Sequence, residues 1–140
     1  MIYALDTNII IHYLKKTPKV LQNFNTAVIR NSNFVIPKVV DYELRRGFSI
    51  YPSPAKEAVC DALTHQGFCD IEEMGAALWD RAIEVYTNLY TKRFTVNEID
   101  ILIAAACIEN GYTLITNNVD DFKNIDNLIF EDWVKEDIKN

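Results

Sequence analysis

Short apolar runs that alternate with segments of helical spacing place the strongest constraint on this chain. Ile2–Leu5, Phe34–Ile36, Phe68–Ile71, Tyr112–Thr116 and Leu128–Phe130 are each bounded by polar or turn residues, as strands are. Between them, apolar residues recur three or four apart after Asn8, after Pro18, and over Lys38–Arg46, Ala55–His65, Gly75–Tyr90 and Asn97–Glu109. Gly47, Gly67 and Gly111 stand where three of these helices are expected to stop. Strands alternating with helices predict a parallel sheet covered on both faces. Such a sheet gathers ligands outside the carboxyl ends of its strands, where strand order reverses.

No repeat, low-complexity tract or linker divides the 140 residues, so residues 1–140 are expected to form one domain. A chain of this length buries roughly two-thirds of its unfolded surface and needs no disulfide framework. Cys60, Cys69 and Cys107 are odd in number, far apart and set among apolar residues, which fits a reducing cytoplasm. The opening carries Asp6 where a secretion signal has a basic flank, and no apolar run reaches the ~20 residues of a membrane span. The formal charge of -6 argues against a general nucleic-acid coat. Basic residues nevertheless cluster at Lys15, Lys16 and Lys19, at Lys38, Arg45 and Arg46, and at Lys92 and Arg93, while Asp120 to Asp137 make the tail acidic.

Carboxylates fall where apolar residues belong. Asp6 ends the first apolar run in "LDTNIII", where Asp, Thr and Asn also read as a turn and helix cap. In "KVVDYELRRG", Glu43 follows Val39 by four residues and Val40 by three, on the side of the helix that those valines occupy. In "NEIDILIAAACIENG", Ile101 to Ile108 carries no charge and must be buried nearly all round, yet Asp100 sits one turn before Ile103 and Ala104. Asn97 and Asp100 also have the spacing of a variant capping box, so capping and function both account for Asp100. The cluster "TNNVDDF", Thr116 to Phe122, repeats the opening, with a strand end followed by Thr, Asn and Asp.

Each carboxylate has a local explanation, but one oxygen-ligand metal site explains all of them together. Acids gathered without inward Lys or Arg repel one another, and a hard cation such as Mg²⁺ or Mn²⁺ neutralises them. Zinc is disfavoured, because only His12 and His65 are available and no cysteine pair has ligand spacing. The phosphate cradle GxxxxGK[ST] is absent from a chain with four glycines. A hard metal in an acidic cleft suits phosphodiester hydrolysis, since it reverses the local field and lowers the pKa of a bound water.

These segments, in this order, resemble the PIN-domain nucleases and specifically the VapC-type toxins of bacterial toxin–antitoxin pairs. The resemblance spans essentially the whole chain, from "LDTNIII" through "VVDYELRRG", "DILIAAACIENG" and "LITNNVDDF" to "IFEDW". It implies a three-layer α/β/α sandwich with a parallel five-stranded sheet in the order 3-2-1-4-5. By the resemblance, Asp6, Glu43 and Asp100 are the catalytic, metal-binding acids, with Thr7, Asn8, Thr116 and Asn118 supporting them. Many relatives place the fourth acid at the position of Asn118; in this chain Asp121, before the phenylalanine, fills the role. The implied function is a Mg²⁺- or Mn²⁺-dependent endoribonuclease that halts translation, with tRNA or other structured RNA as substrate. A VapB-like antitoxin and a second copy of the chain are the implied partners, and Lys38, Arg46 and Lys92 are expected to line the RNA path.

Three rival readings make different demands. A phosphoacceptor signalling domain needs an acidic pair beside the first strand and a late strand-end Lys, whereas here one Asp6 follows the first strand and the last leads into "EDW". A non-catalytic PIN-like module that binds RNA or protein is marked by loss of the acids, and Asp6, Glu43 and Asp100 all remain. A metal-free ribonuclease would depend on the two histidines.

Overall fold

A computed structural model describes Met1–Asn140. The strands are β1 (Ile2–Leu5), β2 (Asn33–Pro37), β3 (Asp70–Glu72), β4 (Thr113–Ile115) and β5 (Phe130–Glu131). The helices are α1 (Thr7–Leu14), α2 (Pro18–Ile29), α3 (Lys38–Ile50), α4 (Pro54–His65), α5 (Ala76–Thr91), α6 (Glu98–Asn110) and α7 (Val119–Phe122). All strand pairs are parallel, and the sheet runs β3-β2-β1-β4-β5, the expected order.

Strand order decides where the helices lie. The chain moves from β1 to β2 to β3 in one direction across the sheet, then returns past β1 to β4. Parallel crossovers are right-handed, so reversing the direction of travel moves the connecting helices to the other face. Helices α1 to α4 therefore cover one face, and α5 and α6 the other. Trp133, fully buried, closes an aromatic cluster with Tyr3, Phe24 and Phe34. No helix is long and apolar enough to cross a membrane, and all three cysteines are free and buried.

Three local expectations change. Gly47 does not end its helix, because α3 continues to Ile50. A Cβ at Gly47 would meet nothing within 4 Å, so the helix passes through at the ordinary cost of a helical glycine. Strand β3 is Asp70–Glu72 rather than Phe68–Ile71, because its register is set by β2, with Val35 opposite Asp70. Phe68 instead stacks on Phe34 at 5.4 Å. Strand β5 likewise shifts to Phe130–Glu131, where Phe130 faces Leu114 and Glu131 faces Ile115.

Gly111 does cap α6, in the left-handed conformation at φ 70°. The two glycines should respond oppositely to alanine in denaturant titrations. Gly47→Ala should raise stability by about 0.5–1 kcal/mol and Gly111→Ala should lower it by about 1 kcal/mol.

Candidate active site

The site lies where strand order reverses, between β1 and β4. Register aligns the carboxyl ends of β1 and β4, with Leu5 opposite Ile115 and the Asp6 N–H donating to the Ile115 carbonyl at 3.0 Å. Asp6 and Thr116 therefore emerge side by side. Asp6 caps α1 as the sequence allowed, its Oδ1 accepting the Thr7 N–H at 2.7 Å. Its Oδ2 accepts from the Thr116 hydroxyl at 2.8 Å and from the Asn8 amide at 2.9 Å. A carboxylate offers about four lone-pair positions. The three bonds leave one on Oδ1 for a ligand.

Thr7 ties the second acid to the first. While its N–H serves Asp6, its hydroxyl donates to Glu43 Oε1 at 2.8 Å, holding a half-buried glutamate on α3. Glu43 Oε2 has no such bond. Asp100 enters from the first turn of α6. Asn97 caps that helix through the Ile99 N–H at 2.8 Å, and Asp100 makes no return bond to Asn97. The capping-box explanation of Asp100 therefore lapses. Burial pushes the Asp100 carboxyl up to about 7, reinforced by the charges of Asp6 and Asp121, a hydrogen bond with Asp121, and the charge of Glu43. Burial also raises Asp6, against the lowering effect of its hydrogen bonds. Asp121 is half-buried, and the exposed Asn118 donates its side-chain amide to it.

None of the ion pairs in the structure engages Asp6, Glu43, Asp100 or Asp121. The cleft therefore holds an uncompensated set of acids. No three of them stand at the spacing of a shared metal coordination sphere. The donor set, all of it carboxylate oxygen, fits a hard cation such as Mg²⁺, which keeps water at the positions the protein leaves open.

The expected RNA-contacting cations all have partners within the chain. Lys38 Nζ lies 3.7 Å from Asp41, Lys92 pairs with Asp126 at 2.7 Å, and the Arg46 guanidinium sits 5.1 Å from the Tyr42 ring centroid. The exposed Lys92–Asp126 pair is worth ~0–1 kcal/mol, so a phosphate can compete for Lys92, whereas Lys38 faces a buried Asp41 that Arg45 and His65 also approach. Neither histidine belongs to the acid cluster, since His12 pairs with Thr17 at 2.9 Å and His65 with Asp41 at 3.4 Å.

Sequence reasoning missed Asn117 and Asp132. The Asn117 N–H donates to Asn8 Oδ1 at 2.8 Å, and its side-chain amide reaches both oxygens of Asp132 at 3.3 and 3.2 Å. Asp132 is buried. A buried carboxylate directly after the last strand, in "IFEDW", was the available signal.

The fold and this site define a parallel α/β protein with carboxylates grouped at the switch point of its sheet. The PIN domain family model matches residues 3–128, and the chain belongs to that family. It is 35% identical to Ribonuclease VapC2 of Rickettsia felis over 136 residues, spanning 96% of this chain and 100% of that protein. With the tRNA(fMet)-specific endonuclease VapC of Shigella flexneri it shares 27% identity over 133 residues, 94% of this chain and 97% of the relative. Among solved structures, VapBC2 from Rickettsia felis, bound to a DNA fragment from its promoter, superposes with TM-score 0.80 at 33% identity, covering 94% and 98% of the two chains. The sheet order is also not the 2-1-3-4-5 of the phosphoacceptor fold, which removes that rival.

Proposed function

We propose that this chain is a VapC-type toxin, an endoribonuclease that cleaves tRNA or another structured RNA and is neutralised by a VapB-like antitoxin. The uncompensated acid cluster at the switch point carries the reading, and the full-length similarity to VapC ribonucleases supports it. Asp6, Asp100 and Asp121 would hold Mg²⁺ or Mn²⁺, with Glu43 binding the metal or orienting the attacking water. Such a metal supplies a counter-charge for the scissile phosphate and a water of lowered pKa. The protein's own groups orient the reaction. Thr7, Asn8 and Thr116 fix Asp6, while Thr7 fixes Glu43 so that its free Oε2 can accept a proton from the attacking water. Lys38, Arg46 and Lys92 line the RNA path, and the protein works in the cytoplasm with residues 1–140 as one catalytic unit.

The test is incubation of the purified protein with a cellular RNA pool, with Mg²⁺, Mn²⁺ or EDTA, followed by mapping of new ends. Discrete cleavage that EDTA abolishes is expected. Cleavage insensitive to EDTA would reinstate a metal-free mechanism, and no cleavage with either metal would favour a binding module.

Two surfaces fit the partners. An apolar groove lined by Ile11, Leu14, Leu44 and Phe48 ends at Thr7 and Glu43, and suits an antitoxin segment. That segment is expected to insert an Arg or Lys among Asp6, Glu43 and Asp100, because a guanidinium can bridge carboxylates with charge-assisted bonds. Replacing this partner residue by Ala should restore cleavage at concentrations that still form the complex. Undiminished inhibition would indicate steric cover alone.

The second surface is on α5, where Trp79, Ile83, Tyr86 and Tyr90 form a helical stripe 53%, 63%, 48% and 73% exposed. A second copy of the chain would bury it. Ile83→Glu should convert a dimer to a monomer in light scattering with the thermal midpoint of the protomer retained, and a persistent dimer would place the interface elsewhere.

A further inference from the structure

We infer that Asn117 and Asp132 are positioning residues for the acid cluster, acting through the turn that follows β4. The inference rests on the nuclease reading only for its kinetic consequence. Asp6, Thr116 and Asp132 leave the carboxyl ends of the neighbouring strands β1, β4 and β5, with the Thr116 N–H donating to the Glu131 carbonyl at 3.0 Å. The turn at Asn117 and Asn118 thus lies between the cleft and Asp132.

Successive backbone N–H groups of this turn set the direction of the bonds that hold Asp6. The Asn117 N–H occupies Asn8 Oδ1 at 2.8 Å, so the Asn8 amide nitrogen faces Asp6 Oδ2. The Asn118 N–H occupies the Thr116 oxygen at 2.9 Å, so the Thr116 proton is directed to the same Asp6 oxygen. Both donors are consumed on Oδ2, which leaves the vacant position on Oδ1. The Asn118 side chain also donates to Asp121. One two-residue turn therefore touches the supports of two acids in the cluster.

The turn needs an anchor of its own, and Asp132 supplies it. Its side chain is buried and has no cationic partner, and it accepts the Val134 N–H at 3.0 Å together with the two contacts from the Asn117 amide. A turn cap alone needs only the Val134 bond. Because Asn117 reaches both oxygens, displacing it moves its own N–H away from Asn8 and frees the Asn8 amide to rotate.

The experiment combines amide exchange in the metal-free protein with cleavage kinetics. Asp132→Ala and Asn117→Ala should each speed exchange of the Asn117 and Asn118 N–H groups by about tenfold while the β1 amides stay protected. Each should lower kcat by about 10- to 100-fold, as loss of an outer-shell support does, with KM within about twofold. The exchanged pair Asn117→Asp with Asp132→Asn restores a donor facing an acceptor, and should recover most of the loss that Asn117→Asp alone produces. Asn23→Ala is the control, because Asn23 holds the same C-terminal segment through Trp133, Glu136 and Ile138 without touching the turn. It should lower the thermal midpoint with kcat retained.

Asn117→Ala keeps the backbone N–H, so it carries the test if Asp132→Ala does not fold. Unchanged exchange at 117 and 118 in Asn117→Ala overturns the proposal, as does a kcat loss in Asn23→Ala equal to that in Asp132→Ala. A wild type that cleaves no RNA, but whose turn amides respond as stated, overturns the nuclease reading and leaves the positioning role standing.

Discussion

Asp100→Asn is expected to abolish RNA cleavage while leaving the metal-free fold as stable as the wild type or more so. The activity loss should be at least about 10²-fold, since metal-type charge stabilisation is worth several kcal/mol. Stability should move the other way. The Asp100 carboxyl is raised to about 7 by burial and by neighbouring acids, so its charged form strains the fold that holds it. It also makes no capping bond to lose. Asp6→Asn should abolish cleavage as fully but cost stability. Three donors converge on Asp6, from Thr7, Thr116 and Asn8. An asparagine must turn its NH₂ toward at least one of them, and an unmet buried donor costs about 1–3 kcal/mol. Urea titrations and cleavage assays on both variants check the contrast. Equal destabilisation by the two substitutions would return Asp100 to a structural role, and retained cleavage in Asp100→Asn would remove it from the site.

The contrast shows why the acids could be found in the sequence while the anchor of the turn behind them could not. Glu43 and Asp100 break an apolar helical pattern, and Asp6 follows a buried strand, so each stands out against its own neighbours. Thr7 and Asn8 were legible only as companions of Asp6, because a turn uses the same residue types. Asn117 sits among ordinary turn residues and Asp132 among the acids of the tail, so only the place of Asp132 after the last strand marked it. Their pairing exists only because β4 and β5 are adjacent and in register, and strands of three and two residues carry too little alternation to fix their ends. The same limit displaced β3 and β5 by one or two residues, since a partner strand and not local propensity decides which residues pair. Gly47 misled for a related reason. Glycine stops a helix where a left-handed turn is wanted, and the apolar contacts of Val40, Leu44 and Phe48 carry α3 past it.

Stability without metal should fall as pH rises from the ordinary carboxylate range toward neutrality, and divalent metal should reverse the trend. The Asp6 and Asp100 carboxyls are both raised in the folded protein, Asp100 to about 7. The unfolded chain releases the same protons near ~3.9. Between those limits the folded state binds more protons, so its advantage is full at the acid end, declines through the interval and is gone once pH passes the folded value. Metal binding follows the opposite course, because it needs the acids ionised. Mg²⁺ or Mn²⁺ at ten times its dissociation constant should stabilise the protein by about 1.4 kcal/mol at pH 8. For a chain of this size that is a thermal shift of roughly 3 to 5 °C. At pH 5 the same metal concentration should give little shift, since protons hold the cluster. Asp100→Asn should flatten the metal-free profile and remove most of the metal shift at pH 8. Melting curves at the two pH values, with and without metal, test both halves of the linkage. An equal metal shift in wild type and Asp100→Asn would place the ion outside this cleft, and a metal-free profile that rises toward neutrality would mean that the acids are compensated within the fold.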